Sequence, residues 1–378
     1  MKKMIWFISV SILCSTVSLL VKADTIFDDV SKGHQTLLTE ASKNNFDCEK
    51  GFESILGQFS KLQSSVTMKD IEAAKTFLPE LFLYRLKLKD IVHLDNPVCL
   101  KQMRSYFFQS RSVQDQLYIL LYTNEQKTIQ SVDFLKIDVP QLKEPSRSFI
   151  NPKVSDSDLH PGDIMIAKGI SFTSSTISRL PVQPNQFSHI ALFVQHDGSL
   201  HTLESYIGKG VDAYSLNDAL KNENARILIL RPKNANLAKN ANEMMDSIYA
   251  KSVSTNRKIK YDYKLDMKDH SELTCAEVAV TAFEKASDGR VIIPEFQSAI
   301  NFSNSDFLKN MGLRNGSMMM PDDMEFDNRF DTVLEWSEFT LLQDSLRKDQ
   351  IMNFILKRID KNESILNHSY KSVALDVL

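Results

Sequence analysis

The stretch Phe187-Ser188-His189-Ile190-Ala191-Leu192-Phe193-Val194-Gln195-His196-Asp197-Gly198-Ser199-Leu200-His201-Thr202-Leu203-Glu204-Ser205 decides the class of fold. Residues 187–195 are rich in apolar and β-branched side chains. The run stops at His-Asp-Gly, and residues 199–205 resume an alternating pattern. This spells two strands joined by a tight turn. Upstream, residues 163–167 read as a further strand. Downstream, 226–230 form a nearly continuous apolar strand closed by Pro232. Helical patterns follow at about 235–251 and 275–287. Strands first, with helices grouped after them, predict an α+β fold and not a doubly wound α/β sheet.

Working towards the N-terminus, the texture changes. Pro140, Pro145, Pro152 and the polar run Ser155-Asp156-Ser157-Asp158 mark residues 141–158 as a linker. Before it, residues 24–140 read as a helical domain. Phe52, Ile55, Leu56, Phe59 and Leu62 recur at three- and four-residue steps and make one apolar stripe. A second helical run, 71–94, contains Pro79, which is expected to kink or split it. A third runs from Cys99 towards Tyr122. Such stripes are core, and no chemistry is assigned to them.

Residues 1–23 read as a signal peptide. Lys2 and Lys3 precede a mostly apolar stretch, and Val21-Lys22-Ala23 sets small residues at −3 and −1 of a cleavage site. The alternative is an uncleaved N-terminal membrane anchor. Serines and Thr16 dilute the stretch and favour cleavage, so the expected location is periplasmic or secreted. Removing three lysines with the leader takes the formal charge from −3 to −6. No basic field is present to attract nucleic acid. At the other end, residues 344–378 read as an amphipathic helix, from about 345 to 359, and a tail.

Export changes the meaning of the cysteines. Cys48, Cys99 and Cys275 remain after cleavage. In an oxidising compartment two should pair, and the shared helical region points to Cys48 with Cys99. Closing that loop is worth about 4 kcal/mol in the chain-entropy model. Cys275 is left over.

Its setting is distinctive. In Leu273-Thr274-Cys275-Ala276-Glu277-Val278, Thr274 and Glu277 have capping-box spacing, and Leu273 and Val278 hold the positions of a hydrophobic staple. The helix therefore begins at Cys275, where free N–H groups and the positive dipole end favour a thiolate. A thiolate nucleophile needs a base. His189 stands in a β-rich strand where a histidine is otherwise out of place; its bland reading is an imidazole bonded to a backbone carbonyl. A third polar group should orient the ring. His201 and Glu204 on the next strand both qualify and point to opposite faces, so the residues themselves leave that choice open.

An ordered set of motifs resembles the permuted papain-like amidases of the YiiX and YaeF group. It comprises Leu159-His160-Pro161-Gly162-Asp163-Ile164, Ser188-His189-Ile190-Ala191-Leu192, Leu203-Glu204-Ser205 with Gly210-Val211, Tyr261-Asp262 and Cys275-Ala276-Glu277. Met320-Pro321-Asp322-Asp323-Met324-Glu325 and 330–336 complete it. The resemblance spans roughly residues 159–340, implies a catalytic domain at 159–343, and relates the chain to NlpC-type peptidases and lecithin:retinol acyltransferase-like enzymes. It implies a circularly permuted papain-like catalytic domain behind the helical domain. Cys275 is then the nucleophile, His189 the base and Glu204 the orienting residue, with Tyr261 lining the substrate pocket. The group has Ser after the nucleophile where this chain has Ala276.

The implied activity is cysteine hydrolase chemistry, of amidase or peptidase type, with no cofactor. Cell-wall stem peptides, lipid amides and small acyl compounds all fit as substrates. Two rival readings stand beside it: a lipid-directed thiol acyltransferase or lipid amidase working at a membrane surface, and a non-catalytic binding module. A metal site is not expected. His189, His196, His201 and Asp197 lie close in sequence, yet alternation scatters them, and no HExxH or paired CxxC occurs. Gly208-Lys209-Gly210 is too little for a phosphate loop.

Overall fold

The computed structural model describes residues 26–125, 146–221, 223–265, 267, 269–301 and 316–361. The leader call, 1–23, lies outside them. The chain divides into two compact units, Met1–Ile129 and Gln130–Leu378.

The first unit is helical. It contains α1 (26–41), α2 (Cys48–Ser65), α3 (Ile71–Ile91) and α4 (Pro97–Glu125). Asp47 caps α2 by accepting from the Lys50 N–H, and the stripe Phe52, Ile55, Phe59, Leu62 is buried. Pro79 does not split α3, which runs through it. Cys48 and Cys99 are joined, with Cα atoms 5.1 Å apart, tying the start of α2 to α4. At the centre His34 is fully buried, stacked on Tyr84 at 4.1 Å and flanked by Phe59 and Tyr106.

The second unit is built on a seven-stranded sheet. In chain order the elements are β1 (Ser146–Ile150), β2 (Ile164–Gly169), α5 (Phe172–Arg179), β3 (His189–His196), β4 (Ser199–Tyr206), β5 (Gly210–Ser215), α6 (Leu216–Lys221), β6 (Asn224–Pro232), α7 (Ala235–Ser254) and α8 (Cys275–Ala286). The hairpin of β7 (Ser298–Ile300) with β8 (Gly316–Met318), a 3-10 turn (Pro321–Phe326), β9 (Phe330–Glu338) and α9 (Phe339–Asp360) follow. The sheet order is β1-β9-β6-β2-β3-β4-β5, with every neighbouring pair antiparallel. This is an α+β unit of helices and antiparallel sheet.

Both faces of the central strands are buried, which explains their unbroken apolar sequence. Ile164, Ile166, Ile190, Leu192, Val194, Leu228 and Leu230 share one cluster with residues of α7 and α8. The alternate positions Met165, Ala167, Ala191, Phe193, Ile227 and Ile229 share another with Val333 and Trp336 of β9. Gly162 has φ +91°, and a Cβ there would sit 2.5 Å from the carbonyl oxygen of Ala238, so only glycine lets α7 pack so close.

Two boundary expectations are corrected. Residues 141–158 are not wholly a linker: 146–150 form β1, an edge strand paired with β9 in the register Ser148↔Trp336. The last helix begins at Phe339, not 345, because the Glu338 carboxylate accepts from the Thr340 and Leu341 N–H groups and starts it directly off β9. It packs on α5 and β6 inside the sheet unit and is no separate appendage. Among the described residues no helix is long and apolar enough to cross a membrane. The Cys48–Cys99 bond is compatible with an exported protein.

Candidate active site

The capping box reads in the structure as the sequence spells it. Glu277 N–H donates to Thr274 Oγ1 at 3.2 Å, and Thr274 N–H donates to Glu277 Oε2 at 2.7 Å. Leu273 and Val278 are both fully buried. Cys275 is thereby the first residue of α8, half-buried, with its thiol free.

Neighbouring strands hold that helix start in place. The Ser205 hydroxyl donates to the Leu273 carbonyl at 2.6 Å, and Leu273 N–H donates to the Lys260 carbonyl at 2.9 Å. Residues 259–261 lie along β5, where Val211 N–H donates to the Ile259 carbonyl at 2.9 Å. Gly210 permits this approach: its φ is +75°, and a Cβ would meet the Ile259 oxygen at 2.2 Å. Tyr261 is carried by the same segment.

His189 opens β3. Its Nε2 lies 2.7 Å from Glu204 Oε2, and the pair is 14% and 1% exposed. Cys275 interacts with this same imidazole, and each group shifts the titration of the other. With Nε2 committed to Glu204, Nδ1 is the nitrogen left for the sulfur. Burial pushes the imidazole towards neutrality, but the bonds with Cys275 and Glu204 outweigh it and raise its pKa to about 10. Burial likewise raises the thiol, yet His189 and the backbone N–H groups of Ile190 and Ala276 hold it below the ordinary cysteine range. Each partner favours the charged form of the other.

Glu204 is itself supported. Burial disfavours its charge, but hydrogen bonds from His189, Thr202 and Tyr206 keep the carboxyl below its usual range. The Thr202 hydroxyl donates to Oε1 at 2.5 Å and the Tyr206 hydroxyl to Oε2 at 2.6 Å. The Tyr206 ring stacks on His189 with centroids 4.7 Å apart. Neither Thr202 nor Tyr206 was singled out from the sequence. The signal was there: 202, 204 and 206 alternate onto one strand face.

His201 stands away from this group. Its Nδ1 lies 3.3 Å from the Ser199 carbonyl, and its ring meets His196 edge-on. His196 in turn bonds Asp246 at 2.6 Å. Among the described residues no set of three or more His, Cys, Asp or Glu side chains is placed to hold a metal ion. Tyr261 feels the charge of Cys275: burial and then the Cys275 and Glu277 charges push its hydroxyl well above the ordinary tyrosine range. Its ring packs on Tyr263, which is 60% exposed.

No family model matches this sequence, and no curated protein does. Among solved structures the chain matches the crystal structure of the metalloprotein yiiX from Escherichia coli O157:H7, DUF1105, at 17% identity and a TM-score of 0.36. The match covers 46% of this chain and 96% of that one. This is a loose likeness to a YiiX-type protein, and it defines neither family nor activity.

Proposed function

We propose that the chain is a cysteine hydrolase that cleaves an amide or acyl bond through Cys275, His189 and Glu204, within a circularly permuted papain-like domain. The observation that carries this reading is an imidazole that bonds a buried carboxylate and interacts with the free thiol at the start of α8. Structural histidines seldom sit between a free helix-start thiol and a desolvated acid.

The chemistry follows from the geometry. The thiolate attacks the carbonyl carbon, and the C=O π pair moves onto oxygen. The Cys275 backbone N–H, unpaired within the helix as a first-turn donor, stabilises that oxyanion. As the tetrahedral adduct collapses, the imidazolium gives its proton to the departing amine and the C–N bond breaks. Water then attacks the thioester carbon while the neutral imidazole accepts a proton from it. As this adduct collapses the C–S bond breaks, its electron pair returns to sulfur as thiolate, and the carboxylic acid leaves. Glu204 keeps the ring oriented throughout. Tyr261 lines the acyl side of the pocket. The substrate class is an amide of the cell-wall-peptide or lipid-amide kind, and the setting is an oxidising, extracytoplasmic compartment.

The first test is alkylation of Cys275 by iodoacetamide from pH 5 to 10. Native protein should label well below the pH at which an ordinary thiol does, and His189→Ala should slow labelling about a hundredfold at pH 6. Far faster labelling of denatured than native protein refutes an activated thiol. Amine release from stem peptides and N-acyl amides should vanish in Cys275→Ala. Its rate should fall on the acid side as the thiolate protonates, and on the alkaline side near pH 10 as His189 loses its proton. Alkylation needs no proton donor and should show no alkaline fall.

A further inference from the structure

Met320-Pro321-Asp322-Asp323-Met324-Glu325 is a motif the site leaves unexplained. The carboxylates of Asp322 and Asp323 hold backbone. β3 begins its pairing with β2 at His189, opposite Ala167. Just before it, Gln186 N–H donates to Asp322 Oδ2 at 2.7 Å and Phe187 N–H donates to Asp322 Oδ1 at 2.8 Å. Ser188 N–H then reaches the Ala167 carbonyl at 2.8 Å. Two successive N–H groups, one on each carboxylate oxygen, fix the direction in which the chain enters the strand two residues before the imidazole.

The anchor is itself fixed. Pro321 opens the 3-10 turn, and Asp323 pins it by accepting from the Met320 N–H at 2.8 Å and from the Ser298 N–H and hydroxyl at 2.9 and 2.7 Å. Asp322 is 7% exposed, and an ionised buried carboxylate needs compensation. Lys168 on β2 and Arg179 on α5, both ion-paired to Asp349, also feel the charge of Asp322, and Arg179 donates to the Asn185 carbonyl at 2.7 Å. An asparagine would present only one acceptor oxygen to two donors. The carboxylate is thus matched to the backbone it grips.

We propose that Asp322 is a positioning residue that sets the His189 imidazole at bonding distance from the Cys275 sulfur by clamping the Gln186 and Phe187 backbone. The inference rests on the Cys275–His189 reading above. Its logic is geometric: a ring displaced by about 1 Å loses most of its effect on the sulfur.

The experiment follows the pH dependence of Cys275 alkylation by iodoacetamide in full-length Asp322→Ala and Asp322→Asn, with Asp327→Asn as comparison. Asp327 is a buried acid of the same region that accepts from the Glu295 N–H and from Arg329, away from the β3 entry. In Asp322→Ala the labelling midpoint should rise by about one pH unit and the rate at pH 6 should fall about tenfold. Asp322→Asn, which keeps one acceptor, should fall between and carries the test if the alanine variant does not fold. Asp327→Asn should lower Tm and leave the midpoint alone. Wild-type midpoints in both Asp322 variants, or an equal shift in Asp327→Asn, overturn the clamp while leaving the thiolate pair intact. An ordinary thiol midpoint in the wild-type protein overturns both.

Discussion

The two units each bury a histidine, and they treat it in opposite ways. In the helical unit His34 gives one nitrogen to the Val30 carbonyl at 2.8 Å and presses its ring on Tyr84. Desolvation dominates there, and the pKa drops to about 4. In the sheet unit His189 is also sheltered, yet its pKa rises to about 10. Burial pushes both rings the same way. What separates them is that His189 has two acidic partners and His34 has a carbonyl and aromatic rings. Burial by itself makes a histidine inert, and partners convert it into a charge carrier.

The largest effect should come from stripping those partners. In Cys275→Ala/Glu204→Gln, the His189 pKa followed by NMR should fall from about 10 to below the ordinary 6.5, a change of more than about three units. A value that stays high would mean the charge is held by something other than these two groups.

The next effect belongs to His34. Its folded pKa lies below its unfolded one, so the unfolded chain binds more protons between them, and stability is lost as pH falls from about 6.5 through 4. The loss amounts to about 3 kcal/mol. Acid titration of the helical CD signal should show it, and His34→Phe should flatten the slope. A variant as acid-labile as wild type would detach the effect from His34.

The smallest effect is expected from Tyr206→Phe, which keeps the ring stacked on His189 and removes one donor to Glu204. Amine release should slow about three- to tenfold, a net cost of about 1 kcal/mol. A hundredfold loss would assign the hydroxyl a direct part in the reaction.

Much of the site was legible because its signals are local. Thr274, Glu277, Leu273 and Val278 lie within six residues and fix the start of α8. The turn at 196–198 fixes the hairpin that brings His189 and Glu204 to one face. The pairing of Cys48 with Cys99 followed from counting. What the sequence hid was non-local. β1 is five residues whose partner, β9, lies nearly two hundred positions away, so nothing nearby marks it as a strand. α5 is a short helix of serines and threonines with weak helical preference, held by burial against β2 and α9. The grip of Asp322 on Gln186 and Phe187 spans about 135 residues and leaves no periodic trace. The choice between Glu204 and His201 needed the strand faces: His201 looks away, and Glu204 meets the ring.

The disulfide has a consequence for Cys275. Among the described residues, joining Cys48 to Cys99 leaves Cys275 as the sole unpaired sulfur. A milieu oxidising enough to keep that staple closed also exposes the Cys275 thiol to oxidants, and the described residues offer it no second free cysteine. Within the described residues, a mixed disulfide on Cys275 must therefore borrow its second sulfur from a small thiol or another polypeptide.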